Sequence, residues 1–255
     1  MEILEKACYN AEKYAPRHCG AEEVFFMEII PINQDTWRIE DGFVRFFLLA
    51  GRDSALLIDS GASSPEAKAL TESLTSLPVT LVNTHGDGDH TAGNGAFSRF
   101  YAHPADVVGC GLAAKFPGAE ILPLEDGMVF ELGGRDVEVI ALPGHTAGSV
   151  ALLDRRDRAL YAGDSVQTEH IYMFGAHRSP EAFAASLEKL DAMRDRFDVI
   201  YASHGESAVP PEHISRVLKV WGQVQRGELQ GHEENMHGST IISYDGDGCG
   251  FFCGV

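Results

Sequence analysis

Two β-sheets packed face to face with helices on the outside, an α/β (α+β) sandwich, is the architecture this sequence predicts. Three observations lead there. Strand-like runs rich in Phe, Val, Ile and Leu gather in two halves of the chain. Each half continues into segments whose apolar positions recur at helical spacing. No Pro/Gly/Ser-rich break interrupts the 255 residues. A length that allows one large domain or two small ones, at ~150 residues per domain, therefore reads as one domain, 1–255, with a short C-terminal tail.

The elements follow in order. After a polar N-terminal arm, runs at 24–30, 43–50 and 54–60 are separated by short Gly and Asp turns and predict antiparallel strands. Ala67, Leu70, Leu74 and Leu77, spaced by three and four, predict a helix that delivers the chain into a buried strand at 79–84. A dense polar loop comes next. Past residue 92 the sequence predicts a strand at 99–102, a helix begun by Pro104, a strand at 136–142 and a hairpin joining 149–154 to 159–163. Phe183, Leu187, Leu190, Met193 and Phe197 form one helical stripe, and Ile214, Val217, Leu218, Trp221 and Val224 another, with a strand at 199–202 between them. These stripes are core faces. For the tail, with His232, His237, Tyr244 and the run Cys249-Gly-Phe-Phe-Cys253, three placements stay open: a final edge strand, a lid over a site, or a dimer contact.

Composition narrows the function. At 44% hydrophobic and 23% charged, the chain carries enough apolar residues for a full core. Twenty Lys and Arg against 38 Asp and Glu give a net charge of −18, a field that repels phosphodiester backbones and anionic lipid. The expected partner is a small-molecule substrate, with no nucleic acid and no membrane, and a homodimer is left open. Five cysteines, odd in number and without a Cys-x-x-Cys pair, fit reduced thiols. The N-terminus lacks a basic start followed by an apolar run, and no stretch approaches ~18 consecutive apolar residues, so the expected location is the cytoplasm.

The polar loop carries the chemistry. Asn83-Thr-His85-Gly-Asp87-Gly-Asp89-His90 ends an apolar strand and packs four potential metal ligands into six residues, with Gly between them. Glycine lets the backbone turn tightly enough for side chains two apart to converge. Imidazoles and carboxylates crowded for structural reasons alone would repel or go unsatisfied, so a cation site is the stronger reading. Three further residues share the placement, each just after a strand and beside Gly: His145 in Pro-Gly-His-Thr, Asp164 in Ala-Gly-Asp, and His204 in Ser-His-Gly. Singly each reads as a turn residue. Together, at the carboxyl ends of strands, they make a constellation.

The order of these motifs, preceded by Leu56-Leu-Ile-Asp59-Ser-Gly61, resembles the metallo-β-lactamase fold superfamily of metal-dependent hydrolases over residues ~24 to 225. The resemblance is to the glyoxalase II-like and lactonase-like group, and it implies a four-layer αβ/βα sandwich with a dinuclear site at one edge of the sheets. By motif position, His85, Asp87 and His145 would hold a first metal and Asp89, His90 and His204 a second, with Asp164 bridging. Two divalent ions sharing a hydroxide would attack an ester, thioester, lactone or phosphoester of a small molecule. Asp89 would also act catalytically by accepting the proton of the attacking water. Asp59 would support the metal loop through hydrogen bonds, and His170, Tyr172, Phe174 and His177 would line the substrate cleft.

Subgroups lose ground on particular residues. Here Gln167 stands where quorum-quenching lactonases often carry Tyr, and only 51 residues follow His204, where glyoxalase II carries a helical extension. Asp87 departs from the pattern, in which a second His is usual. Two divalent ions with Asp87, Asp89, Asp164 and a hydroxide sum to about 4 − 3 − 1 = 0, one unit less positive than usual, which raises the pKa of bound water. The hard oxygen also shifts preference among metals: Zn is expected first, with Mn or Fe as alternatives. A short Asp reaching the ion only through water would leave the site mononuclear. Two rival functions stay open, a diiron oxidoreductase or dioxygenase, and a non-catalytic metabolite-binding member of the fold. On ligand type alone, Asp87→His is expected to raise Zn affinity.

Overall fold

The computed structural model describes residues 27–63, 66–236 and 238–255. Its first sheet runs in chain order through β1 (Glu28–Asn33), β2 (Thr36–Asp41), β3 (Val44–Ala50), β4 (Ala55–Ile58), β5 (Val79–Val82), β6 (Arg99–Ala102) and β7 (Glu120–Pro123). Pairing is antiparallel from β1 to β4 and parallel from β4 to β7. Parallel neighbours need crossovers, and helices supply them: α1 (Ala67–Leu74) before β5, a one-turn α2 (Gly88–Thr91) before β6, then α3 (Pro104–Gly109) and α4 (Leu112–Lys115) before β7.

The second half provides β8 (Val129–Glu131), β9 (Asp136–Ala141), β10 (Val150–Asp154), β11 (Ala159–Tyr161), β12 (His170–Met173), α5 (Pro180–Ala192), β13 (Val199–Tyr201), β14 (Ala208–Val209) and α6 (His213–Gln225). Its six-stranded sheet has the order β14-β13-β11-β10-β9-β8, with one parallel pair, β11 and β13. The last strands, β15 (His232–Met236), β16 (Ser239–Asp245) and β17 (Gly250–Gly254), join β12 in a third sheet ordered β12-β17-β16-β15.

Every residue of β3, β4 and β10 is buried, as strands covered on both faces must be. The period-two alternation sorts their side chains into layers. Phe47, Leu49, Leu56 and Ile58 face Val139, Val150 and Leu152 between the two large sheets. Phe46, Leu48 and Leu57 turn outward onto Ala67, Leu70 and Leu112 of the first helices. Ala151, Leu153 and Leu160 turn outward onto Phe183, Leu187, Val217 and Trp221 of α5 and α6, where Ile171 and Phe251 of the third sheet also pack. The resulting order, helices, sheet, sheet, helices, is the four-layer sandwich expected from the sequence.

The differences are local. Strand β2 was not anticipated because its Trp37 and Ile39 alternate with Arg38 and Glu40 instead of forming an apolar run. The expected strand at 24–30 falls partly outside the described residues, and β1 begins at Glu28. Helix α5 ends at Ala192, so Phe197 of the predicted stripe lies beyond a 3₁₀ turn at Arg194–Arg196, though its ring is still buried. Among the three placements left open for the tail, the described residues take that of strands in a sheet; His237 lies outside them. Among the described residues no helix is long and apolar enough to cross a membrane.

One buried ion pair fastens the sandwich. Arg135, at the start of β9, gives Asp154 Oδ2 two hydrogen bonds of 2.8 and 2.6 Å, from Nε and Nη2, and both side chains are wholly buried. The same guanidinium donates to Thr36 Oγ1 at 2.7 Å and to the carbonyls of Asp35 and Ala50 at 2.9 and 3.1 Å. It thereby ties the ends of β1 to β3 in one sheet to β9 and β10 in the other.

Candidate metal centre

At the opposite edge, strands β4, β5, β9, β11 and β13 deliver their C-terminal residues to one place. After β4, Asp59 adopts φ +65, a left-handed conformation uncommon outside glycine. This turns its carboxylate under the loop after β5. There it accepts the Thr84 N–H and O–H at 2.7 Å each and the His90 Nδ1–H at 2.9 Å, the supporting place expected for it. After β9 the chain turns at Gly144, whose φ is +148 and where a Cβ would stand 2.4 Å from the Phe183 Cα. Only glycine lets the loop carrying His145 press this closely on α5.

A second carboxylate joins the two loops. Asp106 of α3, 1% exposed, accepts Gly86 N–H and the Thr146 hydroxyl through Oδ2 at 2.8 and 2.7 Å, and Gly148 N–H through Oδ1 at 2.7 Å. It therefore fixes His85 relative to His145. Asp106→Asn, which turns one acceptor into a donor facing N–H or O–H groups, is expected to weaken metal retention by roughly 10- to 100-fold, the usual effect of losing an outer-shell partner. Dialysis followed by elemental mass spectrometry measures it; wild-type retention in a folded variant would contradict this role.

The imidazoles are oriented by the same logic. His145 Nδ1 lies 3.0 Å from the Tyr172 carbonyl, and His204 Nδ1 lies 2.9 Å from the Phe43 carbonyl. A carbonyl only accepts, so in both rings Nδ1 carries a proton and Nε2 is the atom left to face the site. Asp59 imposes the same tautomer on His90, and Thr84 Oγ1 stands 3.1 Å from His85 Nδ1.

The freed atoms converge. His85 Nε2 and His145 Nε2 are 3.2 Å apart, and Asp87 Oδ2 lies 3.6 and 3.3 Å from them. Asp89 Oδ2 lies 3.7 Å from His90 Nε2 and 3.3 Å from His204 Nε2. Asp164 stands between the two groups, with Oδ1 3.2 Å from His90 Nε2, and Oδ2 3.3 Å from His204 Nε2 and 3.6 Å from His145 Nε2. Ligands at ~2.0 to 2.1 Å around a tetrahedral ion sit roughly 3.3 to 3.4 Å from one another, so these spacings fit a divalent cation. His90 Nε2 and Asp164 Oδ1 are buried and make no hydrogen bond, a cost that a cation removes.

The charges point the same way. Burial opposes ionisation of Asp164, yet the charges of His204 and His90 hold its carboxyl well below the usual range. Burial likewise opposes ionisation of Asp87, which hydrogen bonding to His145 and His85 pulls far down. His204 is pushed up to about 10: burial lowers it, but Asp164 and Asp89 more than compensate. Without a cation the cluster balances its carboxylates with protons on imidazole, and those protons occupy the places a metal would take.

The seven candidate ligands named from the sequence lie together, with Asp87 Oδ2 3.6 and 3.3 Å from the Nε2 atoms of His85 and His145. Tyr172 borders it: burial and the charges of Asp89 and Asp164 raise its hydroxyl pKa. His170 does not. Its ring stacks on Phe252 with centroids 4.4 Å apart, and its Nε2 lies 3.1 Å from Asp245 in the third sheet. His177 is exposed, its ring over Gly109 at the end of α3. Sequence reasoning missed Asp106, an apparent first-turn acid of a surface helix, and two residues at the rim. Phe43, 68% exposed, stacks its ring beside His204 with centroids 5.9 Å apart. Arg178 donates to Asp87 Oδ2 at 2.5 Å.

Comparison with known proteins agrees with this geometry. The sequence profile described as "Metallo-beta-lactamase superfamily" matches residues 39–209. A hydroxyacylglutathione hydrolase of Methylococcus capsulatus is 32% identical over 160 residues, 61% of this chain and 59% of that enzyme. An atrochrysone carboxyl ACP thioesterase of Emericella nidulans is 30% identical over 115 residues, 44% of this chain and 36% of that one. The chain therefore spans less than two thirds of either relative. Among solved structures, a metallo-beta-lactamase from Pontibacter korlensis shares the fold, with a TM-score of 0.65 and 21% identity over 77% of this chain and 99% of that one.

Proposed function

The chain belongs to the metallo-beta-lactamase superfamily, and we propose that within it the protein is a metal-dependent hydrolase of small acyl thioesters and esters. The observation that carries this reading is the donor set itself: imidazoles whose Nδ1 protons are engaged behind them and whose Nε2 atoms face carboxylate oxygens across ion-sized gaps. A divalent ion held there supplies Lewis acidity toward an acyl oxygen and lowers the pKa of water toward neutrality. Zn fits these nitrogen-rich corners, and Mn or Fe fits a set with three carboxylates. Two corners of three donors with Asp164 between them support a pair of ions.

The side chains divide the remaining work. Asp89, its side chain 26% exposed and beside His204, is open to solvent and placed to take a proton from attacking water. Phe43 offers an apolar face at the rim for an acyl chain. The thioester preference draws on the two relatives, whose names specify an acylglutathione and an acyl carrier protein.

Chelator-treated protein, reloaded with Zn, Mn or Fe, tests the reading against S-lactoylglutathione, a short acyl-CoA, p-nitrophenyl acetate, a homoserine lactone and bis(p-nitrophenyl) phosphate. Thioester or ester cleavage is expected, lost on chelation and regained with Zn or Mn. Cleavage indifferent to chelation, or fastest on the phosphodiester, would overturn it. Oxygen consumption only in the iron form would favour the oxidoreductase alternative, and no turnover in any metal-loaded form the binding module.

A further inference from the structure

Asp87 has two claimants. The oxygen that faces His85 and His145, Oδ2, is the one that accepts the Arg178 guanidinium at 2.5 Å, while Oδ1 lies 3.5 Å from Nη1. The Arg178 side chain is only 12% exposed, and its Nε is buried with no hydrogen-bond partner. The residue is held in register with the site, since Ser179 N–H, one position on, donates to the Gly144 carbonyl at 2.8 Å beside His145. A guanidinium keeps its charge at any working pH. A fixed positive charge therefore sits directly behind one corner of the donor set. The other corner, Asp89, His90 and His204, has no arginine or lysine within ion-pair distance among the described residues.

We propose that Arg178 is a positioning residue that makes the two corners unequal toward cations. By sharing Asp87 Oδ2 it aims the short carboxylate at His85 and His145, and by its charge it weakens that corner's hold on a divalent ion, so the corner of Asp89, His90 and His204 fills first. Asp87 and Arg178 together carry no net charge, so the pair offsets the extra carboxylate. A second consequence concerns Asp87→His. The change would leave a buried guanidinium unpaired next to a cation, and a buried charge stripped of its partner is strongly unfavourable. Ligand type alone predicts tighter Zn binding by that variant; the position of Arg178 reverses the expectation.

The inference rests on reading these donors as a cation site, and its test uses metal without substrate. Metal-free protein is titrated with Zn²⁺ against a chromophoric chelator, with bound metal counted by elemental mass spectrometry. Wild type is expected to fill in two steps, the weaker one lost in Asp87→Asn. Arg178→Gln should tighten that weaker step by roughly 10- to 100-fold, the order expected from removing a positive charge a few ångströms from a divalent ion, and leave the tighter one in place. Arg178→Lys, which keeps the charge, should stay stepwise and guards against a misfolded Gln variant. Asp87→His should bind the weaker ion less well than wild type, and Asp87→His with Arg178→Gln should recover it. A wild type that takes one ion while Arg178→Gln takes two is the same result in its extreme form. Two equal steps in wild type, an unchanged or loosened weak step in Arg178→Gln, or tighter binding by Asp87→His alone would overturn the proposal. Failure of every variant and of wild type to take up metal would sink the cation site itself.

Discussion

Asp164→Ala should empty the centre. Among the described residues, its carboxylate reaches both corners, 3.2 Å from His90, 3.3 Å from His204 and 3.6 Å from His145, and its Oδ1 makes no hydrogen bond. Without it, either corner keeps two imidazoles and one carboxylate but loses the anion that offsets the second ion. Metal content should fall below one ion per chain after dialysis. Hydrolysis should drop by more than the ~100-fold typical of losing a mere supporting partner. Asp164→Asn separates charge from packing: it keeps an oxygen ligand and the side-chain volume, so metal loss there would identify charge as the cause. Two ions per chain in a folded Asp164→Ala would end the bridging assignment.

The largest effect on stability lies at the other edge of the sheets. Asp154→Ala takes the main partner from the buried Arg135 and leaves it only the longer contacts to Asp157 at 3.2 Å and Asp35 at 3.4 Å; breaking a buried pair costs about 3 to 5 kcal/mol. At roughly 2 to 4 °C per kcal/mol for a chain of this size, melting should occur roughly 6 to 20 °C lower. Replacing both partners by apolar residues, Arg135→Met with Asp154→Leu, should cost less than the single change, because no lone charge remains. Calorimetry of the metal-free protein distinguishes the cases. Metal uptake measured below the melting transition should be unchanged in all of them, since Arg135 precedes the first residue of β9 while His145 lies beyond its far end.

The sequence disclosed most of the donors because a ligand cluster is a local pattern. His85, Asp87, Asp89 and His90 announce themselves within six residues, and His145, Asp164 and His204 by their place after apolar strands. The supporting groups were harder to see, for a physical reason. Asp106 acts through bonds to Gly86, Thr146 and Gly148, Arg178 reaches across 91 positions to Asp87, and Phe43 matters through its carbonyl and ring beside His204. Each is an ordinary surface-type residue in its own stretch of chain and gains its role only when a distant loop arrives. His170 shows the converse. Its nearness in sequence to Asp164 suggested the cleft, but it shares the strand face of Tyr172 at the far end of β12, where its ring meets Phe252 and Asp245, while the carbonyl of Tyr172 meets His145. The layers were legible from the runs that became β3, β4 and β10; β2, with one polar face, was not.

Strand β12 owes its place to β17, in which Phe252 lies opposite Tyr172. The carbonyl that sets the His145 tautomer is thus braced by residues synthesised 80 positions later. On the ribosome, all seven donors emerge before that brace exists. Truncation within 250–254 would therefore remove two things at once: the strand that braces the Tyr172 carbonyl behind His145, and Phe251, a buried ring packed on Trp221 and Phe183.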